Sequence, residues 1–322
     1  METEPQEYTP GARFDVALVA DMCVDLILSG DVRPKFAQFE QLIDDYYLDI
    51  GGSSNVFACQ AAKLDLRTAV IGRVGDDEFG RLVRTRLGEQ GVDVSGVRVR
   101  AGLKTGIGVT LAEPSDRAIL TYLGSIDAVS KADLPTDPAK LCRHWHIASY
   151  YLLSRLRGGW KDFLRLAKSQ GVSTSLDPNW DPAEKWRDVL DLLPHLDIFF
   201  ANDSEIRAIT GSRDLLGAAR ELSASGTLIV VKQGAEGAFA VNGTEVASLS
   251  PAEFAPVRDV RDTVGAGDNF DAGLLYGWLR GRPLKECLWL GHQCAAASLK
   301  SHGGIAAQIT RDKLTRTFAE IS

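Results

Sequence analysis

Asp262-Thr263-Val264-Gly265-Ala266-Gly267-Asp268 runs straight into a segment, Asp268 to Arg280, that reads as a helix. Phe270, Leu274 and Trp278 recur there at a spacing of four, which gives that helix one buried stripe. A helix starting here points unpaired backbone N–H groups and the positive end of its dipole at whatever lies in front. With no side chain on Gly265 or Gly267 and only a methyl on Ala266, a phosphate can come close to those amides. Asp268 then stands beside the anion, where a carboxylate serves phosphate binding badly. It serves well as a base that takes a proton from an attacking hydroxyl while the amides hold the moving charge. The string is not a Walker A loop, since no Gly-Lys-Ser/Thr follows. Phe270 also occupies the place of the third glycine of a dinucleotide fingerprint.

Elsewhere the chain alternates apolar strands with amphipathic helices. Strands are expected at Phe14 to Ala20, Tyr46 to Ile50, Thr68 to Ile71, His144 to Ala148, Val172 to Asp177, Asp197 to Ala201 and Thr227 to Val231. Helices are expected at Asn55 to Leu64, Glu78 to Gln90, Trp160 to Gln170, Asp203 to Thr210 and Leu215 to Ala224. That order predicts an α/β, doubly wound, mainly parallel sheet with helices on both faces and ligands at the carboxyl ends of its strands. Thr105 to Ala112 and Arg117 to Leu123, joined by Glu113-Pro114-Ser115-Asp116, read instead as a hairpin. Residues 1 to 12, polar and carrying Pro5 and Pro10, read as a flexible tail, leaving 13 to 322 as the folded unit.

Composition narrows the field. The 322 residues are 45% hydrophobic and 25% charged, ordinary for a soluble globular protein. A net charge of −7 argues against a nucleic-acid partner held by bulk electrostatics. No apolar run approaches a membrane span and Met1-Glu2-Thr3-Glu4-Pro5 has no basic leader, so the cytoplasm is the expected compartment. Five scattered cysteines without a Cys-x-x-Cys pair fit reduced thiols. His144 and His146 fall on one face of a strand, and a polar strand face explains them better than a metal site.

The Asp-Thr-x-Gly-Ala-Gly-Asp string resembles the C-terminal signature of the ribokinase-like (PfkB) carbohydrate kinases, and the likeness extends from about residue 14 to 320. The N-terminal family signature is recognisable in Ile50-Gly51-Gly52-Ser53-Ser54-Asn55 and in the segment Ile71 to Gly80, although Ile50 replaces a glycine. The resemblance implies that Asp25, Gly51, Gly52 and Asn55 bind the sugar. A carboxylate such as Asp25 accepts two hydroxyl hydrogen bonds, and Asn55 offers a donor and an acceptor. By sequence alone Asn55 also reads as an N-cap and Asp25 as a solvated loop residue. Cys23 stands where the relative that phosphorylates ribose has asparagine, which weighs against ribose.

Asn202-Asp203-Ser204-Glu205 matches the family's Asn-x-x-Glu, implied to organise Mg2+ near the phosphates, Glu205 through water; the same pair suits a capping box. Lys232 is placed to reach phosphate, with Gly234 and Gly237 giving a tight turn after it. Asp262 matches a monovalent-cation (K+) ligand, facing the Gly303-Gly304 loop. Asp177-Pro178-Asn179-Trp180-Asp181 resembles a fructokinase and 2-keto-3-deoxygluconate kinase segment, with Asp181 where those enzymes often carry arginine. An acid there disfavours a sugar acid. The resemblance thus implies an ATP- and Mg2+-dependent kinase for a ketohexose or pentose such as fructose or ribose. It also implies a sheet of about nine strands, a small β lid built from segments 25–50 and 105–123, and a homodimer through that lid. An adenosine-type nucleoside kinase, a 2-keto-3-deoxygluconate kinase and a non-catalytic sugar or nucleotide sensor are the alternatives; a dinucleotide-dependent oxidoreductase is a distant one.

Overall fold

The computed structural model describes residues 12–113 and 117–319. The expected tail falls almost wholly outside them, as does the hairpin turn at residues 114–116. Strands β1 (Phe14–Val19), β2 (Cys23–Ser29) and β3 (Asp45–Gly51) precede helix α1 (Ser53–Lys63). Then come β4 (Thr68–Gly75), α2 (Glu78–Glu89), β5 (Asp93–Arg100), β6 (Gly106–Ala112) and β7 (Arg117–Tyr122). The remainder is α3 (Pro138–Leu141), β8 (Cys142–Ile147), α4 (Ser154–Ser169), β9 (Ser173–Leu176), β10 (Ile198–Asn202), α5 (Asp203–Thr210), α6 (Leu215–Ser223), β11 (Leu228–Lys232), β12 (Ala238–Asn242), β13 (Glu245–Leu249), α7 (Ala266–Trp278), α8 (Leu284–Ser298) and α9 (Arg311–Ala319).

Nine strands form one sheet in the order β13-β12-β11-β10-β9-β8-β1-β4-β5, parallel except for the β12 and β13 edge. Its strands alternate between two apolar layers. Val16 and Leu18 of β1 enter the layer with Phe57 of α1, Leu274 of α7 and Leu288 of α8. Ala17 and Val19 enter the layer with Trp160 and Phe163 of α4. Both faces are covered, as a parallel sheet with crossover helices requires. The chain leaves β1 for β4 on one side and later returns to β8 on the other. That reversal opens a crevice at the strands' carboxyl ends, the expected ligand position.

A separate four-stranded sheet, β3-β2-β6-β7, makes the lid. Its register sorts the side chains cleanly. Leu48, Leu26, Val109 and Leu120 form one cross-sheet row on the outer face, and Tyr46, Leu28, Leu111 and Ala118 the next. Asp25, Asp49, Gly108 and Thr121 form a row on the opposite, inner face.

Sequence reading missed some elements. β2 reads as a loop because Asp25 interrupts it. The β12–β13 hairpin carried a signal, Asn242-Gly243, with Gly243 at φ 59° as a primed turn demands. The two histidines do share one strand face and are fully buried. Ser175 Oγ lies 2.7 Å from both His144 Nε2 and His146 Nδ1, Ser173 Oγ lies 2.8 Å from His144 Nδ1, and His146 stacks on Phe57 at 3.9 Å. Burial holds both imidazoles below their usual pKa, hence neutral. Ser175→Ala strips one partner from each ring in a dry layer. Urea unfolding should show a loss of about 2 kcal/mol; a loss under about 0.5 kcal/mol would mean that the network contributes little.

Candidate active site

Helix α7 is N-capped by Gly265, which has φ 72° and no side chain capping the turn; the Ala266 amide makes only a long 3.4 Å contact to Thr263 O, so the turn is open to a ligand. Packing explains the glycine as well: a Cβ on Gly265 would sit 2.9 Å from both Gly304 Cα and Val56 Cγ1. Asn269 pins the loop by donating to Gly265 O at 2.8 Å and Gly304 O at 2.9 Å. Asp268, 8% exposed, lies in the first turn with Asn179 Nδ2 3.4 Å from its Oδ1. Burial, and after it the charge of Asp177, push its carboxyl up to about 7.

The lid supplies Asp25 from the inner face of β2. A Cβ on Gly51 would lie 2.2 Å from the Asp25 carboxyl and one on Gly108 2.6 Å away, so glycines clear the space that the acid fills. Burial, then repulsion from Asp21, Asp262 and Asp268, raise Asp25 to about 7 as well. Gly52 sits at φ 90°, with a Cβ site only 2.5 Å from Asp21 O. Asn55 is fully buried: its Nδ2 donates to Gly51 O at 2.7 Å, while Oδ1 has no partner. Asn55 therefore holds the glycine turn with one end and keeps a single acceptor in reserve.

Asp21 is a residue that sequence reasoning passed over. It accepts the Ser53 and Ser54 amides at 3.1 and 3.0 Å and the Ser149 hydroxyl at 2.5 Å, tying the start of α1 to the end of β8. Its position directly after the first strand was the available signal.

On the phosphate side, Asn202 and Glu205 form a reciprocal capping box: Asn202 Oδ1 accepts Glu205 N at 2.9 Å and Glu205 Oε2 accepts Asn202 N at 2.8 Å. Burial, then Asp177, raise Glu205 to about 7. Lys232 is buried, with Nζ 2.5 Å from Asp177 Oδ2 and 3.0 Å from Asp271 Oδ1. Gly234 and Gly237 take φ 57° and 93° in the turn after β11. Asp262 accepts Val264 N and Gly303 N, each at 3.0 Å, joining the signature loop to the Gly303-Gly304 loop.

Asp181 is turned onto its own loop. Its carboxylate accepts the amides of Ala183, Lys185 and Trp186 at 2.8–2.9 Å and is 4% exposed. The sequence argument against a sugar acid fails, because an Asx-type loop motif looks the same in sequence as a binding residue.

Two clefts open beside the segment that leads into α7. One of about 370 Å³ lies between the lid's inner side and the signature loop, lined by Ile27, Tyr47, Thr110, Arg117, Asp262 and Thr263. The other, about 590 Å³, lies between residues 255–261 and α8, with Arg258, His292 and Lys300 in its wall.

A carboxyl whose folded pKa exceeds its unfolded one binds its proton preferentially in the folded state. Stability from it is full below about pH 4 and is lost as pH rises through about 7. Asp268→Asn removes one such loss. Without ligands, the variant should exceed the parent in unfolding free energy by at least about 1 kcal/mol at about pH 8, but not at about pH 4. Equal stabilities at both pH values would show that Asp268 is not strained.

Comparison with known proteins agrees with this geometry. The family model for pfkB family carbohydrate kinases matches residues 14–311. The chain is 32% identical to a Klebsiella pneumoniae fructokinase, over 83% of this chain and 91% of the relative. It is 30% identical to the 2-dehydro-3-deoxygluconokinase of Bacillus subtilis strain 168, over 82% and 84%. The fold is that of the Sinorhizobium meliloti adenosine kinase, with TM-score 0.81 and 23% identity over 97% of this chain and 100% of that one. An open helix start beside a buried carboxylate, a β lid over the crevice and a family match across nearly the whole chain agree: the protein belongs to the pfkB family of carbohydrate kinases and is an ATP-dependent sugar kinase.

Proposed function

We propose that this kinase phosphorylates the hydroxymethyl group of a small, hydroxyl-rich, uncharged sugar, a ketohexose or pentose, with Asp268 as general base. The observation that carries the reading is the Asp268 carboxyl, buried at the mouth of the uncapped α7 start, with its pKa brought near neutrality by burial. Such a group is ionised enough to accept a proton and basic enough to pull it. Bound ATP supplies the γ-phosphoryl group and Mg2+ the neutralisation of its charge. Asp268 Oδ takes the proton of the acceptor hydroxyl as the new O–P bond forms and the bond from the γ-phosphorus to the bridging oxygen breaks, with ADP leaving. The Gly265, Ala266 and Gly267 amides hold the charge that shifts during transfer.

Asn202 and Glu205 would hold Mg2+ through water, which suits an ion that keeps several waters and a motif whose own atoms already cap α5. The 590 Å³ cleft beside α8 suits the adenine end of the nucleotide, and Gly234 and Gly237 shape the neighbouring turn. A K+ ion beside Asp262 would depend on loop carbonyls, since both Asp262 oxygens accept amides. On the acceptor side Asp25, the Asn55 Oδ1 and the Gly51-Gly52 turn meet sugar hydroxyls. Mutual repulsion among Asp21, Asp25, Asp262 and Asp268 disfavours an anionic acceptor. A second reading, a sugar acid, is favoured by Arg117, whose Nη1 donates to Thr263 Oγ1 at 2.9 Å in the acceptor cleft. The cytoplasm, where ATP is plentiful, fits five buried free cysteines.

An ADP-release screen over fructose, ribose, 2-keto-3-deoxygluconate, tagatose and adenosine should find turnover with a neutral sugar. Turnover with adenosine alone or the acid alone transfers the assignment to that class. With the best acceptor, Asp268→Asn should lose about 10²–10⁴-fold in kcat. For the parent, kcat/KM should fall as pH drops below about 7, because the base is then protonated. Full turnover in the variant would refute the base.

We also infer a homodimer through the outer lid face, where Leu120 is 61%, Tyr46 66% and Tyr122 53% exposed on otherwise apolar rows. A sheet face this apolar is a candidate for burial against a second copy. Leu120→Glu should turn a dimer into a monomer in light scattering. A parent that runs as a monomer at micromolar concentration rejects the dimer.

A further inference from the structure

A buried lysine ends the chain of contacts behind the base. Lys232, at the carboxyl end of β11, has an 11% exposed side chain, and its partners Asp177 and Asp271 are 2% and 1% exposed. Nζ lies 2.5 Å from Asp177 Oδ2 and 3.0 and 3.1 Å from the two Asp271 oxygens, with the Phe200 ring 5.9 Å away. A Cβ on Gly267 would stand 3.2 Å from Nζ, so the ammonium lies against the amide nest. An ammonium clamped by two buried carboxylates gives up much to turn toward a phosphate.

The contacts run on from there. Asp177 Oδ1 accepts Asn179 N at 2.9 Å. Asn179, held at φ 53°, accepts Ser149 N on Oδ1 at 2.6 Å and presents Nδ2 to Asp268. Ser149 Oγ in turn donates to Asp21 Oδ2. One line of hydrogen bonds thus joins Lys232 to the base through Asn179, and to the acceptor-side helix α1 through Asp21. Asp271 sits three residues beyond Asp268 on α7, so the same ammonium ties that helix to the Asp177 loop.

We propose that Lys232 is a positioning residue rather than a nucleotide ligand: by clamping Asp177 and Asp271 it holds Asn179 where that amide aligns the Asp268 carboxylate. The proposal rests on the kinase reading for its rate readout but not for its binding readout. Without Lys232, Asp177 is left as an uncompensated buried charge. The loop carrying Asn179 then shifts, and a shift on the order of 1 Å at the base is enough to cost about 10²-fold in rate.

The test compares the parent with Lys232→Met, Asn179→Ala and the double variant, each checked for folding by circular dichroism and thermal melting. MgATP affinity is measured by calorimetry, and kcat and KM with the best acceptor from the screen. Asn179→Ala should lower kcat about tenfold and Lys232→Met about 10²-fold, with MgATP affinity and both KM values held within about threefold. The double variant should be no slower than Lys232→Met alone, because both act along one line. A tenfold loss of MgATP affinity in Lys232→Met with kcat intact makes Lys232 a phosphate ligand and overturns the proposal. So do losses that multiply in the double variant, or an Asn179→Ala enzyme with parental kcat. If Lys232→Met does not fold, Asp177→Asn keeps the shape and weakens the clamp; it should lower kcat about tenfold with MgATP affinity held, and parental kcat there is equally fatal. A parent that binds MgATP yet phosphorylates nothing sinks the kinase reading, while the affinity of Lys232→Met still judges the phosphate role.

Discussion

The crowding of carboxylates at the carboxyl edge of the main sheet is the constraint on which the rest of the structure depends. Asp21, Asp25, Asp177, Glu205, Asp268 and Asp271 come together there, and each answers its desolvation differently. Burial alone would raise Asp177, but the Lys232 ammonium brings it below the usual carboxylate range. Asp271, buried beside the same lysine and facing Asp177, is pushed well upward, burial being the main cause. Asp21 stays raised by burial despite accepting two amides and a hydroxyl. Asp25, Glu205 and Asp268 are all lifted to about 7. In the proposed reading those three face the acceptor, the metal and the transferred proton, so carboxyls poised near neutrality are the ones given work by ligands.

This arrangement also explains the glycines. The sequence suggests that Gly51 and Gly52 admit a ligand to the backbone, and the immediate cause is nearer at hand. Their missing Cβ atoms leave room for the Asp25 carboxyl and the Asp21 carbonyl. Gly265 likewise yields to Val56 and Gly304, and Gly267 to the Lys232 ammonium. Close approach of the protein to itself sets the site, and the ligand then uses the geometry.

The fold was legible because strands such as β1, β10 and β11, buried on both faces, read as nearly unbroken apolar runs, and because the signature before α7 is specific. The site's geometry was legible where local setting fixes a position, as for Asp268 in the first turn of α7, or Asn202 and Glu205 as a capping box. It was not legible where one residue type serves two physical ends. Asp181 binds three loop amides and Lys232 closes an ion cluster, although in sequence each suits a ligand. Asn55 has one end in each role. Asp21 was missed because its partners, Ser53, Ser54 and Ser149, lie far along the chain and only the fold brings them together.

The lid shows how one alternation serves two surfaces. A strand's period of two puts Asp25, Asp49 and Thr121 toward the crevice and Leu26, Leu48, Val109 and Leu120 away from it. A one-residue slip of β2 against β3 or β6 would send Asp25 into the apolar face and a leucine into the acceptor cleft. Register in this small sheet therefore sets two surfaces at once, the inward acid row and the outward apolar rows. In the proposed dimer, burying the outer rows against a second copy would fix the same register that aims Asp25 inward.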